Sequence, residues 1–303
     1  MERKTFKVEI DIKQRIDKYL TERIKGFSRE YIKVLCKKKF VKVNNKCVDP
    51  DEKISRGDIV EVTLPERQDY VIGEIKDIEI IYEDECLIVL NKPPFLKVHP
   101  AKKFDTEYTL LDILLEKLPD VVKNNWPLLR PFLVHRLDKE TSGVIVVAKL
   151  PDVQFDLSKQ FQRREVTKVY RAIVTGVVEG SRGEIIAPIK KYKNISVVSD
   201  IGKEAKTGFR LLSVNHSFKI SYLELYPVTG RTHQIRTHLS FINHPIIGDV
   251  YYGGVKEVCG KKVPRVMLHS YKIKFFHPRR KKWVEYTAEP PEDFNYFLSL
   301  LSL

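Results

Sequence analysis

Cysteine is scarce and scattered: four occur in 303 residues, Cys36, Cys47, Cys86 and Cys259, and no two form a CxxC pair. That spacing supports neither a zinc site nor a disulfide framework and fits a reducing cytoplasm. No stretch approaches the ~18 uninterrupted apolar residues of a membrane span. The opening MERKTFKVEID is charged where a secretory signal would be apolar. The expectation is a cytoplasmic chain that is neither exported nor membrane-spanning. Internal repeats, low-complexity tracts and an HExxH pattern are also missing, so His135, His233, His238 and His269 are expected to be hydrogen-bonding structural residues, not metal ligands.

Basic charge is what the chain has in excess. Lys and Arg number 54 against 40 Asp and Glu, a net charge of +14, which makes a polyanion the natural partner. Residues 1–50 hold 15 Lys and Arg against 7 Asp and Glu, so the first sixth carries over half of the excess. With 43% apolar and 31% charged residues the chain can bury a core, and its length allows one large domain or two unequal ones.

Ile16, Leu20 and Ile24, then Ile32 and Leu35, fall at helical spacings around a break at Gly26-Phe27-Ser28, with a helix restarting near Ser28. FVKVNNKCVDPDEKISRGDIVEVTL then alternates apolar and polar residues around Asn44-Asn45, a pair suited to a hairpin turn. This small basic α+β unit resembles the S4 RNA-binding domain, through Arg15-Ile16-Asp17-Lys18-Tyr19-Leu20, Ser28-Arg29, Val41-Lys42-Val43-Asn44 and Arg56-Gly57-Asp58. Phe40 and Asn45 depart from it, standing where Gly is usual.

Residues 65–77 carry Pro, Gly and many charges with weak periodicity and read as a linker, giving domains at 13–74 and 78–303. In the second, strand-like runs appear at IEIIYED, CLIVLNK, FLVHRLD, GVIVVAK, VYRAIVTGVV, AKTGFRLLSV and KISYLELYPV. Helical patterns are fewer: Thr109 to Lys117, Pro151 to Arg164 and Thr232 to Ile242. Strands that do not alternate with helices predict an α+β domain with a mixed, largely antiparallel sheet.

In Phe132 to Lys149 two apolar runs flank a polar loop that would project Asp138 from a rigid base. On turn chemistry alone, an aspartate there is a cap. The segment HRLDKETSGVIVVAK, however, resembles the hallmark motif of the RluA-type family of RNA pseudouridine synthases, in which this aspartate is catalytic. Further resemblances are YEDECLIVLNKPP with VHPA, KVYRAIVTG, PVTGRTHQIRTHLSFINHPIIGDVYYGG and MLHSYKIKFFHP. Phe95 departs where the family usually has Gly, and Lys97 where an apolar residue is common.

The resemblance implies isomerisation of uridine: the N1–C1′ bond breaks, the uracil turns within the pocket, and C5 joins C1′ with no redox change, cofactor or metal. A carboxylate can attack C1′ or the C6 edge of the ring, or stabilise charge developing on the ribose, and the three routes stay open. Such a carboxylate needs a cationic neighbour to offset desolvation. The resemblance places that partner at Arg236, on a helix whose Ile235, Leu239 and Ile242 are expected to face the core. It makes Tyr170 the ring that stacks on the uracil and takes part in moving the C5 proton, and Leu268 an apolar wall. Arg136 and Arg231 are expected at phosphates, with Arg136 also filling the gap left by an extruded nucleotide. The basic segments 251–265 and 277–283 read either as solvated loops or as phosphate contacts. A monomer acting on large-subunit ribosomal RNA is the expectation. Transfer RNA as substrate, a non-catalytic RNA-binding assembly factor and a glycosidic hydrolase are the alternatives.

Overall fold

A computed structural model describes residues 2–9, 13–24, 32–33, 35–36, 39–64, 78–100, 109–117 and 133–302. The helix restart at Ser28 and the linker at 65–77 lie outside these residues. The chain divides into two compact units. One comprises Met1–Glu74 and His99–Pro131, the other Ile75–Val98 and Phe132–Leu303, so residues 99–131 fall with the smaller unit.

In the smaller unit a four-stranded antiparallel sheet is built from β1 (Glu2–Lys7), β3 (Val41–Val43), β4 (Lys46–Cys47) and β6 (Ile59–Leu64), in the order β1-β6-β3-β4. Two short strands, β2 (Gln14–Arg15) and β5 (Lys53–Ile54), pair beside it. Helix α1 (Ile16–Arg23) contributes Ile16, Leu20 and Ile24 to a core with Ile32, Leu35, Val41, Ile54, Val60 and Val62, the apolar positions that the helical and alternating patterns single out. Asn44 (φ 48°) and Asn45 (φ 66°) make the tight β3–β4 turn in the left-handed region that asparagine tolerates. Helix α2 (Leu110–Lys117) belongs to the same unit, its first turn tied by the Asp112 carboxylate to the Thr109 amide and hydroxyl.

The larger unit is organised by one nine-stranded sheet. Its strands are β7 (Glu79–Glu83), β8 (Leu87–Lys92), β9 (Ser142–Ala148), β10 (Thr167–Thr175), β11 (Arg182–Ile186), β14 (Lys206–Asn215), β15 (Ile220–Pro227), β18 (Leu268–His277) and β19 (Lys282–Thr287). The order is β11-β14-β15-β10-β18-β9-β8-β7, with β19 on β18. Every pairing is antiparallel except that of β9 with β18, where Ser142 and Gly143 lie beside His269 and Ser270. Small hairpins, β12 (Ile189–Tyr192) with β13 (Ile195–Val198) and β16 (Glu257–Val258) with β17 (Lys261–Lys262), stand outside it. Helices α3 (Pro151–Gln162), α4 (Gln234–Phe241) and α5 (Glu292–Ser299) complete the unit. Among the described residues no helix is long and apolar enough to cross a membrane.

Strand β9 is buried at all seven positions, so it reads as a continuous apolar run and not as an alternation. Gly143 makes its approach to β18 possible: it has φ 114°, and a Cβ there would lie 2.2 Å from the Ser270 carbonyl oxygen. The described part of the run FLVHRLD, residues 133–138, is not a strand. Leu133 makes an isolated bridge to Val147, and the His135 ring stacks on Phe161 and accepts a hydrogen bond from the Val146 amide. The basic segment 277–283 is the turn between β18 and β19, and Arg265, expected in a solvated loop or at phosphate, is 2% exposed.

The β7–β8 turn is locked by Asp84, which accepts hydrogen bonds from the Cys86 and Leu87 amides, the Tyr82 hydroxyl and His277 Nε2. Asp84, Cys86 and His277 are the only trio of potential metal ligands that converges among the described residues. Its carboxylate is already fully engaged, and burial beside Asp84 pushes the Cys86 thiol up to about 12.

Candidate active site

Asp138 sits in the turn leading into β9, closed by a hydrogen bond from the Thr141 amide to the Asp138 carbonyl (3.2 Å). The turn does not rest on local chemistry alone. The Lys92 ammonium, wholly buried, donates to the carbonyls of Lys139 (3.3 Å), Pro93 (2.8 Å) and Leu96 (2.9 Å). Those last two carbonyls flank Phe95, which stands at φ 64° in the region that glycine normally occupies. The lysine thus holds from inside a turn that the exposed phenylalanine would otherwise relax. Burial pushes the Lys92 ammonium down to about 7, with the Arg265 charge adding to the effect and the Asp138 charge opposing it.

Arg236 lies in the first turn of α4. Six consecutive residues, Gln234 to Leu239, are buried there, so α4 is enclosed on all sides and not on one face as its pattern suggests; Ile242 lies just past its end, half-buried. His233 enters the helix at φ 53°. Gln234 anchors the entry: its Oε1 accepts from the Arg231 amide and the Thr229 hydroxyl, and its Nε2 donates to Lys206 O and Thr207 Oγ1.

The Arg236 guanidinium donates through Nη1 to Asp138 Oδ2 at 3.2 Å, and through Nε and Nη2 to Asp249 Oδ2 and Oδ1 at 2.6 and 2.8 Å. Asp249 is fully buried, whereas the Asp138 side chain is 24% exposed. Burial works against the Arg236 charge, but the bidentate bond to Asp249, its charge and that of Asp138 outweigh it and hold the guanidinium above its ordinary value. A cation in the first turn of a helix also faces the positive end of the helix dipole, which the two carboxylates neutralise. The Tyr252 ring lies under the guanidinium at 4.9 Å, and its hydroxyl meets His233 Nδ1 (2.9 Å) and the Ser196 amide (2.7 Å). His233 Nε2 approaches Asp138 Oδ2 to 3.8 Å, and burial lowers the imidazole below its ordinary value, so it is neutral at pH 7. Oδ1 of Asp138 has no hydrogen-bond partner among the described residues, while Oδ2 is engaged by Arg236.

Asp138 opens into a cavity of about 560 Å3 lined by Arg136, Tyr170, Arg231 and Leu268 among others. The structure therefore brings all six residues singled out in the sequence to one place. Tyr170, on β10, is half-buried, and desolvation pushes its hydroxyl up to about 12, with the Asp138 charge adding and the Ser270 hydroxyl opposing. It stays protonated at neutral pH. Leu268 opens β18 with 4% exposure. Arg231 Nε is held by the Glu204 carbonyl (3.0 Å), and Arg136 is exposed on the rim.

Two residues of this site escaped the sequence reading. Asp249 carries the stronger half of the Arg236 pairing; its only signal is a single acid in the apolar, glycine-bearing run Ile246-Ile247-Gly248-Asp249. Lys168 lines the cavity two residues before Tyr170, and burial lowers its ammonium from the ordinary value. The four histidines have structural partners: His135 as above, His238 between Thr207 Oγ1 and Ala187 O, His269 between Ser142 Oγ and Ala288 O, and His233 at Tyr252.

The profile of the RNA pseudouridylate synthase family matches residues 86–241, and that of the S4 domain residues 14–60. An uncharacterized RNA pseudouridine synthase of Aquifex aeolicus is 38% identical over 98% of this chain and 96% of its own. Ribosomal large subunit pseudouridine synthase D of Neisseria meningitidis serogroup A is 36% identical over 95% of this chain and 79% of its own. Among solved structures, human RNA pseudouridylate synthase domain containing 4 superposes with a TM-score of 0.60 at 27% identity, covering 74% of this chain and 92% of its own. With a paired aspartate and arginine at the floor of a tyrosine-walled cavity and relatives matched over almost its whole length, the chain belongs to the RNA pseudouridine synthase family and carries an S4 domain before its synthase domain.

Proposed function

We propose that this pseudouridine synthase isomerises uridines of large-subunit ribosomal RNA, with Asp138 as the catalytic carboxylate. The observation that carries the reading is the pairing of Asp138, open to the cavity, with the buried Arg236. The guanidinium holds Oδ2 of a carboxylate that lines the cavity, as a charge partner that offsets desolvation, and leaves Oδ1 unbonded among the described residues. A carboxylate oxygen so placed is suited to attack C1′ or C6 of an extruded uridine, or to face positive charge on the ribose.

Tyr170 supplies a face for stacking on the uracil, and Leu268 an apolar wall that lets the ring turn without engaging a hydrogen-bond partner. Once the N1–C1′ bond has broken and C5 has joined C1′, the C5 proton leaves and N1 gains one, so the sum of atoms is unchanged. Tyr170 is the side chain assigned to the proton movement, as a relay whose hydroxyl gives its proton toward N1 and takes one back from C5, so that it ends as it began. Arg136 and Arg231 at the rim take phosphates. The ribosomal substrate is supported by relatives whose names specify the large ribosomal subunit. The division into an S4 domain at 13–74 and a synthase domain from residue 78, a monomeric state and a cytoplasmic location are part of the same proposal.

Release of tritium from RNA labelled at uridine C5 tests it, comparing unmodified large-subunit ribosomal RNA with transfer RNA. The expected outcome is release from ribosomal RNA alone, abolished in Asp138→Ala. Release from transfer RNA alone overturns the substrate, and undiminished release by Asp138→Ala overturns the residue.

A further inference from the structure

Arg265 is a puzzle for any reading in which it serves the surface. Its side chain is fully enclosed, and a guanidinium without water costs several kcal/mol unless its donors are satisfied. They are satisfied by groups drawn from three separated segments. Nε and Nη2 form a two-pronged bond to Asp293 in the first turn of α5, at 2.6 and 2.9 Å. Nη1 donates to the carbonyls of Glu140 (3.0 Å), Val266 (3.0 Å) and Leu268 (3.5 Å). Glu140 answers from its side, where Oε2 accepts the Val266 amide at 3.2 Å.

The consequence is clearest on the backbone that follows Asp138. Three successive carbonyls are held by three different donors: Asp138 by the Thr141 amide, Lys139 by the Lys92 ammonium, and Glu140 by the Arg265 guanidinium. The same guanidinium grips the carbonyl of Leu268, the apolar wall opposite. One rigid cation thus spans the catalytic turn and the pocket wall, and Asp293 fixes its plane.

We propose that the buried Arg265–Asp293 pair positions the Asp138 turn against the Leu268 wall for the isomerisation step, which makes α5 part of the catalytic apparatus. The inference rests on the proposed role of Asp138. Arg265 and Asp293 are positioning residues, since neither lines the cavity. A misplacement of about 1 Å at the carboxylate is enough to cost roughly 100-fold in rate, so a tether of this stiffness acts on turnover and not on RNA capture.

The test uses the full chain with Arg265→Lys and Asp293→Asn, the latter keeping the shape of a partly exposed side chain and so the fold. Three quantities are read below the unfolding temperature: the single-turnover rate at saturating enzyme, the RNA Kd, and amide exchange across residues 136–142. Expected are a rate lower by about 10–100-fold, a Kd within about twofold, and exchange faster by about tenfold in that segment alone. A purely structural staple would lower Tm while the rate per folded molecule stayed at the wild-type value, and that result overturns the proposal. So does a loss confined to Kd, or a slower rate with unchanged exchange. If the wild-type chain releases no tritium from any RNA, the isomerase reading falls instead, and exchange alone decides: faster exchange keeps the tether, unchanged exchange removes it.

Discussion

Arg236 divides its donors between two carboxylates of unequal solvent access, and the two should respond differently to removal. Asp249→Ala leaves the buried guanidinium only its single bond to Asp138 and is expected to cost roughly 3 kcal/mol, read from urea midpoints. Asp138→Ala leaves Arg236 its bidentate partner, so stability should stay within about 1 kcal/mol while turnover disappears. Equal destabilisation by both would refute the division. Of these residues, Asp138 is visible in the sequence only through its motif, since turn chemistry alone makes it a cap. Arg236 follows from the need for a cation plus the motif. Asp249 hides because a lone acid after glycine looks like an ordinary turn former, and its burial depends on a fold that places Gly248 so tightly that a Cβ would lie 1.8 Å from the Arg265 carbonyl oxygen.

At the scale of elements, the β9–β18 pairing is the join on which the site depends. Gly143→Ala should destabilise by roughly 3 kcal/mol or more, from strain at positive φ and the clash with Ser270, measurable as a fallen urea midpoint. A neutral effect would mean that the strands can part without loss. The same join contains His269, whose Nε2–H donates to the Ala288 carbonyl while Nδ1 accepts the Ser142 hydroxyl. Burial lowers it to about 4 from an ordinary 6.5. The unfolded chain therefore takes up a proton that the folded one refuses, and stability is full above pH 6.5 and declines as pH falls toward 4. The expected loss at pH 5 is about 2 kcal/mol, and it should shrink in His269→Gln. Six strands of the large sheet, β7 to β10 with β14 and β15, and all three helical patterns of 109–242 are legible from periodicity. The departure at FLVHRLD has a physical correlate: beyond the single Leu133–Val147 bridge, the Val146 amide is taken by the His135 ring and not by a strand partner. The β18–β19 hairpin is obscured because its turn, Pro278-Arg279-Arg280-Lys281, is written in charges that resemble a binding loop.

For the molecule as a whole, the charge excess is a statement about RNA that can be tested apart from chemistry. Lys39, Lys42 and Lys46 are exposed around the β3–β4 turn of the S4 domain. Replacing all three with Gln should weaken RNA binding and reduce the slope of log K against log salt by up to about 2, at ~0.7 per lost phosphate contact on single strands. The rate on bound RNA should be unchanged, and a slope equal to wild type would take these lysines out of the interface. The mixed, largely antiparallel α+β character is readable because strand patterns outnumber helical ones. Strand order is not, since pairing of β9 with β18 joins segments far apart in the chain. That long-range join also sets when the enzyme comes into being. During synthesis at ~5–20 residues per second, the turn with Asp138 leaves the ribosome roughly 5–20 s before Arg236, which lies 98 residues later, and Arg265 comes later still. A chain still being made therefore has the carboxylate without its cation or its tether, and the paired site exists only once the later segments have emerged and folded.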